Sequence, residues 1–325
     1  MRNITLPPSA ILGAMLVLLL PATPAQAAPR TWVSGTGTDA GTCTRAAPCA
    51  TYAFAIGVTD TGGEINCLDP GSFGTLTITK SISIVCDYTE GGVLVPSLGD
   101  GFFINAPAGS IITLKGQDIE CAGNAGAGVT IIGEGVTVHI HKVQIRNCRG
   151  SGSGIWVLNS SGVATVFVTD SYITDNGGST SQAGILIRPE SGASANVSIV
   201  RTHLERNSNG IFMDGSIGGG PSNVSVKDSV LSASTNVGIA VASSGAAFNA
   251  SVHNTLINFN IGVGAAVAGA SATLRIAGST ITQNVTGVAN FGGTLQSFKN
   301  NVIVGNGTDG TPMTAFPGPG GQPLQ

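Results

Sequence analysis

The feature that most constrains this chain is an eight-residue phrase that keeps returning. Val138-His-Ile-His-Lys-Val-Gln-Ile145 reappears as Val166-Phe-Val-Thr-Asp-Ser-Tyr-Ile173, as Val197-Ser-Ile-Val-Arg-Thr-His-Leu204 and as Val224-Ser-Val-Lys-Asp-Ser-Val-Leu231. Further copies run from Ala250 to Ile257 and from Leu274 to Ile281, and a looser one ends at Ile303. With Ile145, Ile173, Leu204, Leu231, Ile257, Ile281 and Ile303 taken as equivalent anchors, the steps are 28, 31, 27, 26, 24 and 22 residues. Within each copy apolar and polar residues alternate, which is strand periodicity, and no part of the repeat keeps a helical period. One such coil cannot bury its own apolar face. Stacked coils can, so the repeat predicts a solenoid with a continuous Val, Ile and Leu core.

Two further columns mark the turns. Three residues after the anchor stand Asn176, Asn207, Asn260, Asn284 and Asn306, with Cys148 and Ser234 in the other copies. Stacking lines these up as an asparagine ladder, expected in left-handed turn positions with the amides bonding from rung to rung. Soon after come Gly154-Ile155, Gly184-Ile185, Gly210-Ile211, Gly238-Ile239, Gly262-Val263 and Gly287-Val288. There glycine is expected to supply the bend, and the β-branched residue to open the next inward-facing strand. A solenoid also needs capped ends. Thr51 to Val58 reads as a short amphipathic capping helix held by the Cys43 and Cys49 loop, and the Pro- and Gly-rich stretch from Gly307 reads as a flexible tail.

The chain opens with Arg2, an apolar run from Ala10 to Leu20 and a small-residue site at Ala25-Gln26-Ala27, the pattern of a secretory signal peptide. That run is too short to span a bilayer, and no membrane span is expected after it. The expected division is residues 1–27 signal peptide, 28–61 N-terminal cap region, 62–306 solenoid and 307–325 tail, in a secreted or periplasmic protein. Only 10% of residues are charged and the formal net charge is -3. Polyanion binding depends on clustered Lys and Arg, so nucleic acid is excluded as an expected partner. All six cysteines fall between Cys43 and Cys148. An even count in an exported chain, without paired Cys-x-x-Cys spacing, points to disulfides rather than a metal site. We assign Cys43 with Cys49, Cys67 with Cys86, and Cys121 with Cys148, one connectivity among the roughly fifteen that six cysteines allow.

From about Gly62 to Asn306 the repeat resembles the right-handed parallel β-helix proteins of the pectate-lyase-like superfamily. The resemblance implies an all-β, three-sheet coil. It leaves function open, because the superfamily hosts lyases, glycoside hydrolases, esterases, phage tailspikes and adhesins. The sequence departs from those enzymes at their chemistry. It has no Asp-Asp pair followed by Gly-His-Gly as in polygalacturonases, and no Asp-Phe-Ile-Phe-Gly as in pectin methylesterases. Of the Arg-x-Pro-x-x-Arg segment of pectate lyases it keeps only the fragment Arg188-Pro189-Glu190.

Candidate site residues come from two charged columns. Lys142, Asp170, Arg201, Asp228, Asn254 and Gly278 occupy equivalent positions, and the first four alternate in sign. Read as an enzyme, Asp170 and Asp228 would bind calcium or form a sugar-processing acid pair, with Arg201 as the base of the lyases the chain resembles. Read as structure, the column is a ladder of opposite charges that pins coil register, each contact contributing little. The sequence favours the ladder. On the next face lie Arg146, Asp175, Glu205 and Arg206, with Asp175 and Glu205 expected to face one another and the arginines to neutralise them. Trp156, Tyr172, Phe167 and Phe212 are the candidate sugar platforms, some of them expected in the core. His139, His141 and His253 form a weak metal set, more simply read as solvated histidines. The sequons Asn196-Val197-Ser198 and Asn249-Ala250-Ser251 fall where the repeat places Asn and Ser anyway.

The favoured reading is a non-enzymatic, carbohydrate-associated or structural surface with polysaccharide as partner and no cofactor. The alternative is a polysaccharide lyase or glycoside hydrolase acting on an acidic glycan, with calcium if it is a lyase. An adhesin or export passenger would carry more coils and an anchoring domain.

Overall fold

A computed structural model describes residues 28–316 apart from Leu98, Asn124 and Ala125; the expected signal peptide and the last nine residues of the tail lie outside the described residues. Three parallel sheets of 12, 10 and 10 strands run the length of the described residues as a right-handed solenoid. Each coil visits them in turn. Thr137–His141 lies in the first sheet, Gln144–Arg146 in the second and Ile155–Val157 in the third.

The register is the one the repeat demands. Ile145 pairs with Ile173, Ile173 with Leu204, Leu204 with Leu231, Leu231 with Ile257, Ile257 with Ile281 and Ile281 with Ile303. All but Ile303 are fully buried. Because side chains alternate along a strand, this register sends every second residue inward and the rest to solvent. No helix among the described residues is long and apolar enough to cross a membrane.

Both sharp corners turn through left-handed backbone. Between the first and second sheets the column Lys142, Asp170, Arg201, Asp228, Asn254 and Gly278 has φ between 44° and 55°. The next residue is usually Ser or Thr, and its hydroxyl accepts the N–H of its counterpart in the preceding coil. Ser171 takes Val143 N–H, Ser229 takes Thr202 N–H and Ser279 takes Thr255 N–H, each at 3.2 Å. Between the second and third sheets Asn147, Asp175, Arg206, Ala233, Phe259 and Gln283 are left-handed, with φ of 51° to 60°.

The asparagine ladder therefore follows the left-handed residue and does not occupy it, which corrects the turn assignment. Its amides point inward. Asn176 Oδ1 accepts Cys148 N–H at 3.0 Å, Asn207 Oδ1 accepts Asn176 N–H at 3.0 Å, and Asn284 Oδ1 accepts Asn260 N–H at 3.0 Å. Their Nδ2 groups donate to the anchor carbonyls of the preceding copies, Asn207 to Ile173 O at 3.0 Å and Asn284 to Ile257 O at 3.0 Å. Buried amides must be bonded, and these are.

The glycine column stands where expected at Gly154, Gly184, Gly210, Gly238 and Gly287, but these glycines do not make the bend, which falls on the left-handed residues before them. Gly210, Gly238 and Gly287 lie inside strands of the third sheet, and the column shifts in one coil. Val237 pairs with Val263 and Ile239 with Ala265, so Gly264 takes the place expected of Gly262. The insertion of one alternation is hidden in sequence because Gly262-Val263 and Gly264-Ala265 both fit the pattern.

At the N-terminal end the helix Tyr52–Val58 forms as expected. Thr51 caps it, accepting Phe54 N–H at 3.1 Å, while Asp39 accepts the Thr51 hydroxyl and the N–H groups of Ala50 and Thr51. Lys80 Nζ donates to the Ile56 and Thr59 carbonyls at the helix's other end, at 2.7 and 2.5 Å. The three disulfides are Cys43–Cys49, Cys67–Cys86 and Cys121–Cys148, as assigned. Sheet pairing also extends beyond the expected solenoid bounds. Ala28–Val33 pairs with Thr59–Cys67 at one end, and Thr308–Gly310 and Thr314–Ala315 add strands at the other, within the stretch read as tail.

Candidate functional site

The first charged column is an ion-pair ladder on a corner. Arg201 sits one coil from Asp170 and grips it with two bonds, Nε to Oδ1 at 2.6 Å and an Nη to Oδ2 at 2.9 Å. Those bonds hold the Asp170 carboxyl below the usual range, with His141 and Lys142 adding to the same effect. Asp228 accepts from Asn254 Nδ2 at 2.7 Å and lies 4.0 Å from Lys227 Nζ. Asp170 and Asp228 are two coils apart, about 10 Å at the ~4.8 Å strand spacing, with Arg201 between them. A retaining glycosidase needs its carboxyls about 5 Å apart. The bidentate arginine also keeps Asp170 ionised and engaged.

On the second face the structure corrects the expected partners. Glu205 pairs in register with Thr174, which places Asp175 opposite Arg206 and one position away from Glu205. Asp175 is bonded by Arg206 and Arg149, each at 2.8 Å. Burial raises its pKa, but the bonds from Arg206 and Thr174 outweigh that and the net shift is downward. Glu205 accepts the Tyr172 hydroxyl at 2.5 Å. Arg146 neutralises neither. It is bonded to Asp118 and lies 2.7 Å from Glu120, in the preceding coil.

The histidines do not converge. His139 stacks on Phe167 with ring centroids 4.9 Å apart, and His141 Nδ1 is 2.8 Å from Thr169 Oγ1. His253 lies four coils from His141, about 19 Å at the coil spacing, too far for a shared ion.

The aromatic residues overturn another expectation: none of Trp156, Tyr172, Phe167 and Phe212 is in the core, and all are half-buried on outer faces. Two of them belong to one row. On the outside of the third sheet the register runs Phe103, Thr130, Trp156, Leu186, Phe212. Aromatic rings thus recur at every second coil, about 10 Å apart. Thr130 and Leu186 between them are buried, so the rings close over the shorter side chains. Beyond Phe103 the row opens into a cleft of about 550 Å³ against the capping helix, lined by Ile56, Thr77, Pro96, Asp100 and Phe103 among others. Beside Phe212, Arg188 reaches Asp214 at 3.1 Å. The arginine of the Arg188-Pro189-Glu190 fragment therefore lies within ion-pair distance of a carboxylate, although its buried Nε makes no hydrogen bond. Phe103 escaped the sequence reading because Phe102-Phe103 looks like a core pair, and only the register shows that Phe102 points inward and Phe103 outward.

Residues 97–256 match the family described as the right-handed beta helix region. The chain is a right-handed parallel β-helix. Among solved structures this β-helix is similar to pectate lyase Pel9A, with 16% identity and a TM-score of 0.60 over 88% of this chain and 74% of that one. It is also similar to ORF18 of Geobacillus virus E2, with 12% identity and a TM-score of 0.48 over 86% of this chain and 60% of that one. No curated protein matches. At 16% identity the likeness to the pectate lyase concerns the fold, and the β-helix's own residues must carry any argument about function.

Proposed function

We propose that this β-helix is an extracytoplasmic polysaccharide-binding protein that holds a glycan chain along the outer face of its third sheet and does not cleave it. The observation that carries the reading is the row Phe103, Trp156 and Phe212, with one ring at every second coil. An extended glycan presents alternate sugar faces at nearly that interval, and each ring offers an apolar plane to the C–H face of one pyranose. The spacing is fixed by backbone pairing, so the platforms are ready before the ligand arrives. Three disulfides and no free cysteine among the described residues fit an oxidising compartment. Binding without cleavage is favoured because Asp170, Asp175 and Asp214 each lie within ion-pair distance of an arginine.

Affinity electrophoresis of the protein through gels containing pectins, xylans, glucans or alginate tests this, with Trp156→Ala and Phe212→Ala beside wild type and a reducing-end assay on the same panel. Retardation by at least one polysaccharide, reduced in both variants and without release of reducing ends, is the expected result. Turnover abolished by Asp170→Ala, or retardation unaltered in both aromatic variants, overturns it.

A further inference from the structure

The first sheet carries a second groove, on a different face from the aromatic row and independent of it. Its volume is about 600 Å³, within the range of small-ligand sites. The floor is built from three consecutive coils in strict register. Asn196, Asn223 and Asn249 form one line, and Ser198, Ser225 and Ser251 form a second line beside it. Phe167 closes one end and Arg275 the other, each one coil beyond the floor.

Both lines of the floor are pre-oriented and retain hydrogen-bonding capacity. Asn223 Nδ2 donates to Asn196 Oδ1 at 3.0 Å, and Asn249 Nδ2 donates to Asn223 Oδ1 at 3.3 Å. Each amide nitrogen can give two hydrogen bonds and each amide oxygen can accept two, so every rung keeps capacity facing solvent. Ser225 and Asn223 are exposed, and the three serine hydroxyls are in register at the coil spacing. The end walls are fixed from behind. Stacking of His139 against one face of Phe167, with the rings 7° from parallel, leaves the other face turned along the solenoid axis toward the floor. The Arg275 guanidinium is held by Gln296, Nε to Oε1 at 3.0 Å, and lies 5.6 Å from the centre of the Phe316 ring. From Phe167 to Arg275 is four coils, about 19 Å between backbones.

We infer that this groove is a binding site for a short oligosaccharide or glycan chain end, lying along the solenoid axis and recognised through neutral hydroxyl groups. A sugar ring presents hydroxyls that both donate and accept, and a floor of amides and hydroxyls answers both roles where ammonium or carboxylate groups answer only one. The free face of Phe167 takes the C–H face of the terminal sugar, and Arg275 donates to an oxygen at the other end. The groove's lining contains no carboxylate. Its single cation sits at the rim. Recognition is therefore carried by uncharged groups and persists at high salt.

Isothermal titration with cello-, xylo-, manno- and galacto-oligosaccharides, and with oligogalacturonides as the acidic set, tests the inference at low and high ionic strength. The variants are Phe167→Ala, Asn223→Leu, Arg275→Gln and Trp156→Ala. Asn223 is exposed, so Asn223→Leu keeps the fold, which thermal melting verifies. Expected is binding of at least one neutral oligosaccharide, nearly independent of salt, weakened roughly tenfold by Phe167→Ala and by Asn223→Leu. The same binding is unchanged in Trp156→Ala, which separates this site from the third-sheet row. Loss in Trp156→Ala with no effect of Phe167→Ala or Asn223→Leu overturns the inference and leaves a single site. Binding of the acidic set alone, lost at high salt and in Arg275→Gln, overturns the ligand class. No binding of any oligosaccharide to wild type overturns the site.

Discussion

Asn207 stands where a side chain on Gly184 would have to be: its Nδ2 is 2.8 Å from the position a Cβ on that glycine would take. The two residues belong to neighbouring coils, and the same contact recurs between Asn260 and Gly238, Asn284 and Gly264, and Asn306 and Gly287. The asparagine ladder and the glycine column are thus one device. Glycine in each coil makes room for the amide of the next, and that amide bonds two coils together.

Gly184→Ala should therefore destabilise by about 1–3 kcal/mol, the usual range for forcing a methyl into a packed interior. Gly57, in the capping helix, has open space around its missing Cβ. Gly57→Ala should stabilise by roughly 0.5–1 kcal/mol, since alanine restricts the unfolded chain and favours helix. Chemical denaturation of the two variants beside wild type measures both, and a neutral Gly184→Ala would refute the coupling.

Ser234 interrupts the ladder. Its hydroxyl is buried without a partner, whereas the asparagines on either side of it in the column bond their neighbours. Ser234→Asn should restore the missing rung, giving Asn207 N–H an acceptor as Asn207 gives one to Asn176. A gain of about 1 kcal/mol is expected, the net value of a typical intramolecular hydrogen bond. A rise in Tm checks it, and a fall would mean that the coil around Ser234 has closed up.

Acid should weaken the charged corners. Asp170, bonded by Arg201, and Asp175, where burial is outweighed by Arg206 and Thr174, both have carboxyl pKa values below their ordinary ones. A group with a depressed folded pKa contributes its full stability above the unfolded value, near 3.9 for Asp, and loses it as pH falls through the folded value. Tm should thus hold between pH 5 and 7 as far as these groups are concerned and fall below about 4. The double variant Asp170→Asn, Asp175→Asn should show a shallower acid limb when melted across the same pH series.

Much of this architecture was legible because a strand repeat is written in hydrophobic alternation. The anchors from Ile145 to Ile303, the capping helix after Thr51 and the three cysteine pairs all stand where the sequence places them. What stayed hidden is what a one-residue shift decides. Asp175 and Glu205 sit in neighbouring coils, but the register offsets them by one position and gives Asp175 to Arg206. Similarly, Gly262 and Gly264 are indistinguishable until Val237 is seen to pair with Val263. The aromatic row was hidden for another reason. Its members, Phe103, Trp156 and Phe212, are 53 and 56 residues apart in sequence, and only coils of unequal length bring them into line.

The most direct test of glycan binding on the third sheet uses Trp156 itself as the probe. The chain has two tryptophans, Trp32 and Trp156, so Trp32→Phe leaves the platform residue as the only indole. Fluorescence of that variant, titrated with the polysaccharide that retards the protein most strongly in gels, should change saturably as a sugar face covers the ring. The same midpoint should appear in an independent binding measurement. An emission spectrum that stays constant while the polysaccharide binds would place the glycan elsewhere and contradict the assignment of this face.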